Sequence, residues 1–111
     1  MNRFSVLYTL KKHHQHLTFN TRAEAEDALK KFSRHRRGVP IGIYDAKTEL
    51  FFWGPNRQKK YSQLSFSEQA QEDNAMIAIV QNLRLQAEIA SDVNQMDLDI
   101  LLRPMPRLVH S

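Results

Sequence analysis

The chain has 111 residues, of which 41% are hydrophobic and 25% charged, so it predicts one folded domain and argues against a disordered segment or two ordinary domains. It contains no cysteine, which excludes disulfides, thiolate zinc sites and cysteine nucleophiles. It also lacks an apolar run of the roughly 20 residues that a membrane helix needs, and it lacks a secretory signal pattern, so we expect no membrane partner and a cytoplasmic, intracellular location.

The net charge of +4 is unevenly distributed along the chain. Residues 1–61 carry 13 Lys or Arg against 5 Asp or Glu, a balance of +8, whereas residues 62–111 carry 3 against 7, a balance of −4. Such a split is typical of a basic binding face, and it also lets neighbouring copies of the chain attract one another.

The first predicted element is a β-hairpin. The run "RFSVLYTL" alternates apolar and polar residues, and "LTF" resumes the alternation after the polar stretch "KKHHQH", so the turn is expected around residues 11–16. His13, His14 and His16 in this stretch have two interpretations, an exposed polar loop or a metal site. No nearby acid completes a ligand set, so we favour the loop and predict neither metal nor cofactor.

A helix is predicted next. Thr21 and Glu24 form a capping-box pattern, and an apolar stripe follows at helical spacing. A left-handed Gly38 is expected to end the helix, with Pro40 preventing its continuation. The stripe consists of Ala25, Ala28, Leu29 and Phe32.

The runs "VPIGIYD" and "ELFFW" predict a second hairpin. The resulting β-β-α-β-β order predicts an α+β fold, a small antiparallel sheet with one packed helix, followed by a long C-terminal helix. The second face of the sheet would then need a cover. That face should show Leu7, Tyr44 and either the pair Leu50 and Phe52 or the pair Phe51 and Trp53.

Residues 54–63 have the composition of a connector. We therefore predict a basic ββαββ sheet domain over residues 1–61 and a helical segment over residues 62–111, packed as one unit. A second capping-box pattern, Ser65 with Glu68, begins a long helix over about residues 66–91. A further short helix over about 95–103 and an irregular tail complete the expected organisation.

The long helix carries two adjacent apolar stripes, and so wide a face indicates more than one neighbour. We predict a homodimer, because a soluble monomer rarely exposes so much apolar surface. The residues expected at the dimer or partner interface are Met76, Ile79, Val80, Leu83, Leu85 and Ile89.

Two basic clusters are candidate anion-binding sites. Arg34, Arg36 and Arg37 have no acid four residues earlier, so they are either phosphate contacts or cations favoured by the C-terminal end of the helix dipole. The second cluster places cations beside aromatic rings, as single-strand binders do, although a solvated connector with aromatic core anchors has the same pattern. Its cations are Arg57, Lys59 and Lys60, and its candidate stacking rings are Trp53 and Tyr61.

These patterns lead to three functional hypotheses. The first is non-catalytic binding of DNA, RNA or another polyanion by a homodimer through its basic face. The alternative is a protein-interaction or adaptor subunit that acts through the C-terminal helix. The third is a small RNA-cleaving enzyme, in which the fold gathers a His, an Arg and a Tyr, or another enzyme without a recognisable motif. No residue is assigned a catalytic role, because the chain has no recognisable catalytic motif.

Overall fold

A computed structural model describes the backbone of residues 2–35 and 38–102 and the side chains of residues 2–32 and 38–90. All strand pairs are antiparallel, and the strands lie in the order β2-β1-β3-β4. The predicted α+β fold is therefore confirmed. The elements are β1 (Phe4–Leu10), β2 (His13–Phe19), α1 (Arg22–His35), β3 (Val39–Asp45), β4 (Leu50–Trp53), α2 (Pro55–Ser62) and α3 (Phe66–Leu102).

The sheet has one apolar core on each face, because successive strand residues point to opposite sides. On the first face α1 packs against side chains that include Val6 and Ile43, and on the second face α3 packs through the fully buried Val80. Phe51 and Trp53 belong to the second core, so the structure selects this pair from the two that the alternation allows. The predicted second-face residues Leu7 and Tyr44 lie there as well.

The first hairpin turns on two lysines. Lys11 and Lys12 have φ values of 51° and 69°, and positive φ at both central residues is the pattern of a type I′ turn. β2 begins directly afterwards at His13, so His13, His14 and His16 lie on a strand. The prediction of a histidine loop was wrong, because a two-residue turn leaves the rest of the polar stretch free to pair with β1.

The α1 helix begins with the predicted capping box. The Glu24 amide donates to Thr21 Oγ1 over 3.2 Å, and the Thr21 amide donates to Glu24 Oε1 over 3.1 Å. The prediction of a left-handed Gly38 after the helix was wrong, because its φ is not positive. A side chain is instead excluded there by close approach, since a Cβ would lie 2.9 Å from the Tyr8 ring and 3.0 Å from the Thr9 carbonyl oxygen.

The connector contains a helix that its sequence pattern does not reveal. α2 has no buried residue and therefore no apolar stripe, but Pro55 at its first turn favours helix formation. Gly54 sets where α2 begins, because the Gly54 amide donates to the Ile41 carbonyl over 2.8 Å while the Gly54 carbonyl accepts from the Arg57 amide over 3.0 Å. α2 thereby starts at the end of β4 and leads directly towards α3.

The α3 helix is continuous over the region where a break was expected after residue 91. No Gly or Pro occurs between Phe66 and Leu102, so nothing in the backbone chemistry interrupts the helix. At about 1.5 Å per residue its 37 residues span about 55 Å. Arg84 makes the last side-chain hydrogen bonds from α3 to the sheet segment among the described residues, donating to Ser5 Oγ and to the Asn2 carbonyl over 2.7 Å each. Within the described part, no helix is long and apolar enough to cross a membrane.

Candidate anion-binding surface

One end of the sheet gathers several cationic segments. Thr9 at the end of β1 pairs with Val39 at the start of β3, and the Gly54 amide bonds to Ile41 just beyond β4. The Lys11–Lys12 turn, the start of β3 and the start of α2 therefore lie at the same end. We call this end of the sheet the basic end. Its described cations are Lys11, Lys12, Arg57, Lys59 and Lys60.

The three α2 cations lack acid partners. α2 contains no Asp or Glu, and none of its cations forms an ion pair with any described residue. In contrast, Lys31 pairs with Asp27 at 3.0 Å elsewhere on the molecule. The α2 charges are therefore available to an external anion. The helix dipole stabilises Lys59 and Lys60 in the last turn of α2, so their position alone does not require a ligand.

The aromatic residues beside this cluster hold α2 against α3. The Trp53 and Tyr61 rings stack with centroids 5.0 Å apart and planes at 28°. The Trp53 indole N–H donates to Asp73 Oδ1 and the Tyr61 hydroxyl donates to Asp73 Oδ2, both over 2.8 Å. Burial and the Asp73 carboxylate raise the pKa of Tyr61, so the hydroxyl keeps the proton that it donates. These contacts support the interpretation of both rings as structural anchors.

An open cleft of about 140 Å³ lies beside these anchors. Arg57 and Lys60 line it together with Trp53 and Tyr61, whereas Lys59 does not. Glu72 on α3 also lines the cleft and reduces its positive charge. The structure thus brings two predicted cations to the two predicted rings.

The lysines of the first turn belong to the same end, although sequence reasoning did not select them. A left-handed conformation costs a residue with a Cβ about 1–2 kcal/mol, and Asn-Gly is the usual solution in such turns. Lys11 and Lys12 occupy these positions with exposed side chains. The sequence signal for these lysines was the run "KKHHQH" at a predicted turn. Strained residues at such a turn indicate a role other than stability.

The first predicted cluster is only partly described. Arg34 lies within the α1 backbone, but its side chain, like Arg36 and Arg37 entirely, lies outside the described residues. Gly38, the next described residue, lies close to the Thr9 carbonyl oxygen at the basic end. α1 packs on the first face of the sheet, whereas the α2 cleft opens towards α3 on the second face.

The residues predicted at a dimer interface divide into two groups. Val80 is fully buried against its own sheet, and Met76, Ile79 and Leu83 pack around the same core. Leu85 and Ile89 are each 53% exposed. Leu85 and Ile89 are therefore the predicted interface residues that a single chain leaves uncovered.

A Ser, a His and an Arg meet on the second face at the opposite end of the sheet. His16 Nδ1 lies 3.4 Å from Ser5 Oγ, which also accepts from Arg84 at 2.7 Å. Ser5 is fully buried, so its hydroxyl fastens α3 to the sheet rather than facing a substrate. Burial, and secondarily the Arg84 charge, lower the pKa of His16. Among the described residues, no group of three or more His, Cys, Asp or Glu could hold a metal ion.

Comparison of the chain with family models, curated proteins and solved structures finds no match. The functional argument therefore depends on the geometry and charges of the molecule itself.

Proposed function

We propose that this protein is a non-catalytic binding protein that holds nucleic-acid phosphates on its basic end. The observation that carries the proposal is the set of α2 cations, the exposed Lys59 and Lys60 and the half-buried Arg57, that have no acid partner among the described residues. The two lysines in left-handed turn positions support it, because their conformation is costly and their charge lies at the same end of the sheet.

Phosphate binding has a physical signature that other contacts lack. Each cation that neutralises a phosphate releases a condensed counterion, so the logarithm of affinity falls linearly with the logarithm of salt concentration. The slope is about −0.9 per phosphate contact for duplex DNA and about −0.7 for single strands. The number of contacting cations can therefore be counted in solution.

The test is a salt series with duplex and single-stranded oligonucleotides. Replacing Arg57, Lys59 and Lys60 together by Ala should weaken binding and flatten the slope by about two to three contacts. Lys47→Ala is the control for loss of a lysine away from the basic end, because Lys47 is an exposed lysine in the β3–β4 loop at the opposite end of the sheet. Absence of binding at low salt, or an unchanged slope in the triple variant, contradicts the proposal.

A second candidate function is protein interaction through α3, and the exposure of Leu85 and Ile89 favours it. The simplest partner is a second copy of the chain, whose α3 would cover the same stripe in a symmetric homodimer. Leu85→Asp and Ile89→Asp should then halve the mass measured by sedimentation while the fold persists. Gln86→Asp introduces the same charge at an exposed neighbouring position and should leave the mass unchanged. A wild-type mass equal to one chain contradicts the homodimer.

A further inference from the structure

A larger groove opens beside the basic end on the first face of the sheet. It has a volume of about 420 Å³ and exists because α1 packs over β1, β2 and β3, which leaves the first-face surface of β4 partly uncovered. Its apolar surface comes from Leu29, Ile43 and Phe52, and its walls include Trp53 and Pro55. A volume of this size is in the range of small-ligand sites.

The rim of the groove carries two cations, Arg22 and Lys30, and one acid, Glu26. The Arg22 guanidinium lies over the Phe52 ring, 3.9 Å from its centroid, and Glu26 holds it through a 2.9 Å ion pair. The Arg22 side chain is nevertheless 47% exposed. Lys30, two turns further along α1, forms no ion pair with any described residue. A flat group with an attached negative charge complements this arrangement.

The groove and the cleft of Arg57 and Lys60 lie on opposite faces of the sheet and meet at the end of β4. Trp53 lines both, and Pro55, which also lines the groove, begins the basic helix α2. A single strand whose phosphates lie on α2 would reach the groove by crossing the end of β4 at Trp53.

We propose that this groove receives one unpaired base of a single-stranded nucleic acid, stacked on the Arg22 guanidinium, with Lys30 contacting the adjoining phosphate. Bases stack readily on guanidinium planes once they leave a helix, whereas the bases of a duplex are already stacked and paired. The ligand is accordingly a single strand. This inference rests on the proposed function, since the α2 cations supply most of the affinity.

The test compares three ligands of about 12 nucleotides on the full chain: oligothymidylate, an abasic strand with the same number of phosphates, and a duplex. Oligothymidylate should bind at least about fivefold more tightly than the abasic strand, since a stacked base contributes about 1–3 kcal/mol. Equal binding of the two strands would overturn the inference.

Arg22→Lys separates stacking from charge, because it keeps the cation and removes the plane. It should reduce the preference for oligothymidylate over the abasic strand to less than about twofold. Lys30→Ala should weaken binding, whereas Lys31→Ala, the adjacent lysine paired with Asp27, should not. A preference retained in Arg22→Lys contradicts the base site. The comparison of oligothymidylate with the abasic strand on the wild-type protein decides the question if that variant does not fold.

The two proposals fail in different ways. If both strands bind equally with a steep salt dependence, the phosphate surface stands and the base site is wrong. If neither strand nor the duplex binds at low salt, the proposed function itself is wrong.

Discussion

Trp53 at the end of β4 donates its indole N–H to Asp73 on α3 over 2.8 Å. The second oxygen of the same carboxylate accepts the Tyr61 hydroxyl, so one side chain connects the sheet, α2 and α3. The position of the α2 cations relative to the sheet depends on this connection, because α2 has no buried residue of its own.

Asp73→Ala should therefore destabilise the protein by about 1–3 kcal/mol, since it leaves the partly buried Trp53 and Tyr61 donors without their acceptor. Urea unfolding monitored by Trp53 fluorescence measures this change in the free energy of unfolding. Asn74→Ala removes an exposed neighbour on the same helix and should change stability by less than about 0.5 kcal/mol. Equal effects of the two substitutions would show that the carboxylate does not hold α2.

The partial burial of His16 beside Arg84 predicts a pH dependence of stability. Because the pKa of His16 is lowered below 6.5 in the folded protein, the unfolded chain binds the proton first as the pH falls. The free energy of unfolding should have its full value above about pH 6.5 and should decrease as the pH falls below it. Urea unfolding at several values between about pH 5 and pH 8 gives the slope.

His16→Gln should flatten that slope, because it removes the group that titrates. His14→Gln removes an exposed imidazole from the same strand and should leave the slope as it is in the wild type. If both variants retain the wild-type slope, another group is responsible for the pH dependence.

The ion pair of Arg3 with Asp45 should contribute more to stability than the exposed pair of Lys31 with Asp27. Arg3 donates two hydrogen bonds to the buried Asp45 carboxylate, over 2.7 Å and 2.8 Å, and these bonds lower the pKa of Asp45. Arg3→Ala should lower the free energy of unfolding at neutral pH by more than Lys31→Ala does, because only the first substitution leaves a buried carboxylate without its partner. The Arg3 contribution should disappear as the pH falls below 3.8, where the unfolded carboxylate gains its proton first. If urea unfolding shows that Arg3→Ala and Lys31→Ala lower the free energy of unfolding equally, the prediction is wrong.

Local patterns predicted most of the fold, because the signals for strands and helix starts lie within a few residues of one another. The capping box of Thr21 and Glu24 is an example, since its hydrogen bonds need no other part of the chain. α2 could not be predicted in this way, because its position depends on Asp73 beyond the connector. The groove beside Phe52 was likewise unpredictable, since it depends on which strands α1 covers.

The turn lysines allow a prediction that separates stability from binding. Replacing Lys11 and Lys12 by Asn and Gly should stabilise the fold by about 1–2 kcal/mol, because Asn and Gly adopt positive φ at lower cost. The same variant should bind nucleic acid more weakly and with a shallower salt dependence, since it removes two cations from the basic end. Urea unfolding and a salt titration measure the two effects on one preparation. A more stable variant with unchanged binding would show that the turn takes no part in phosphate contact.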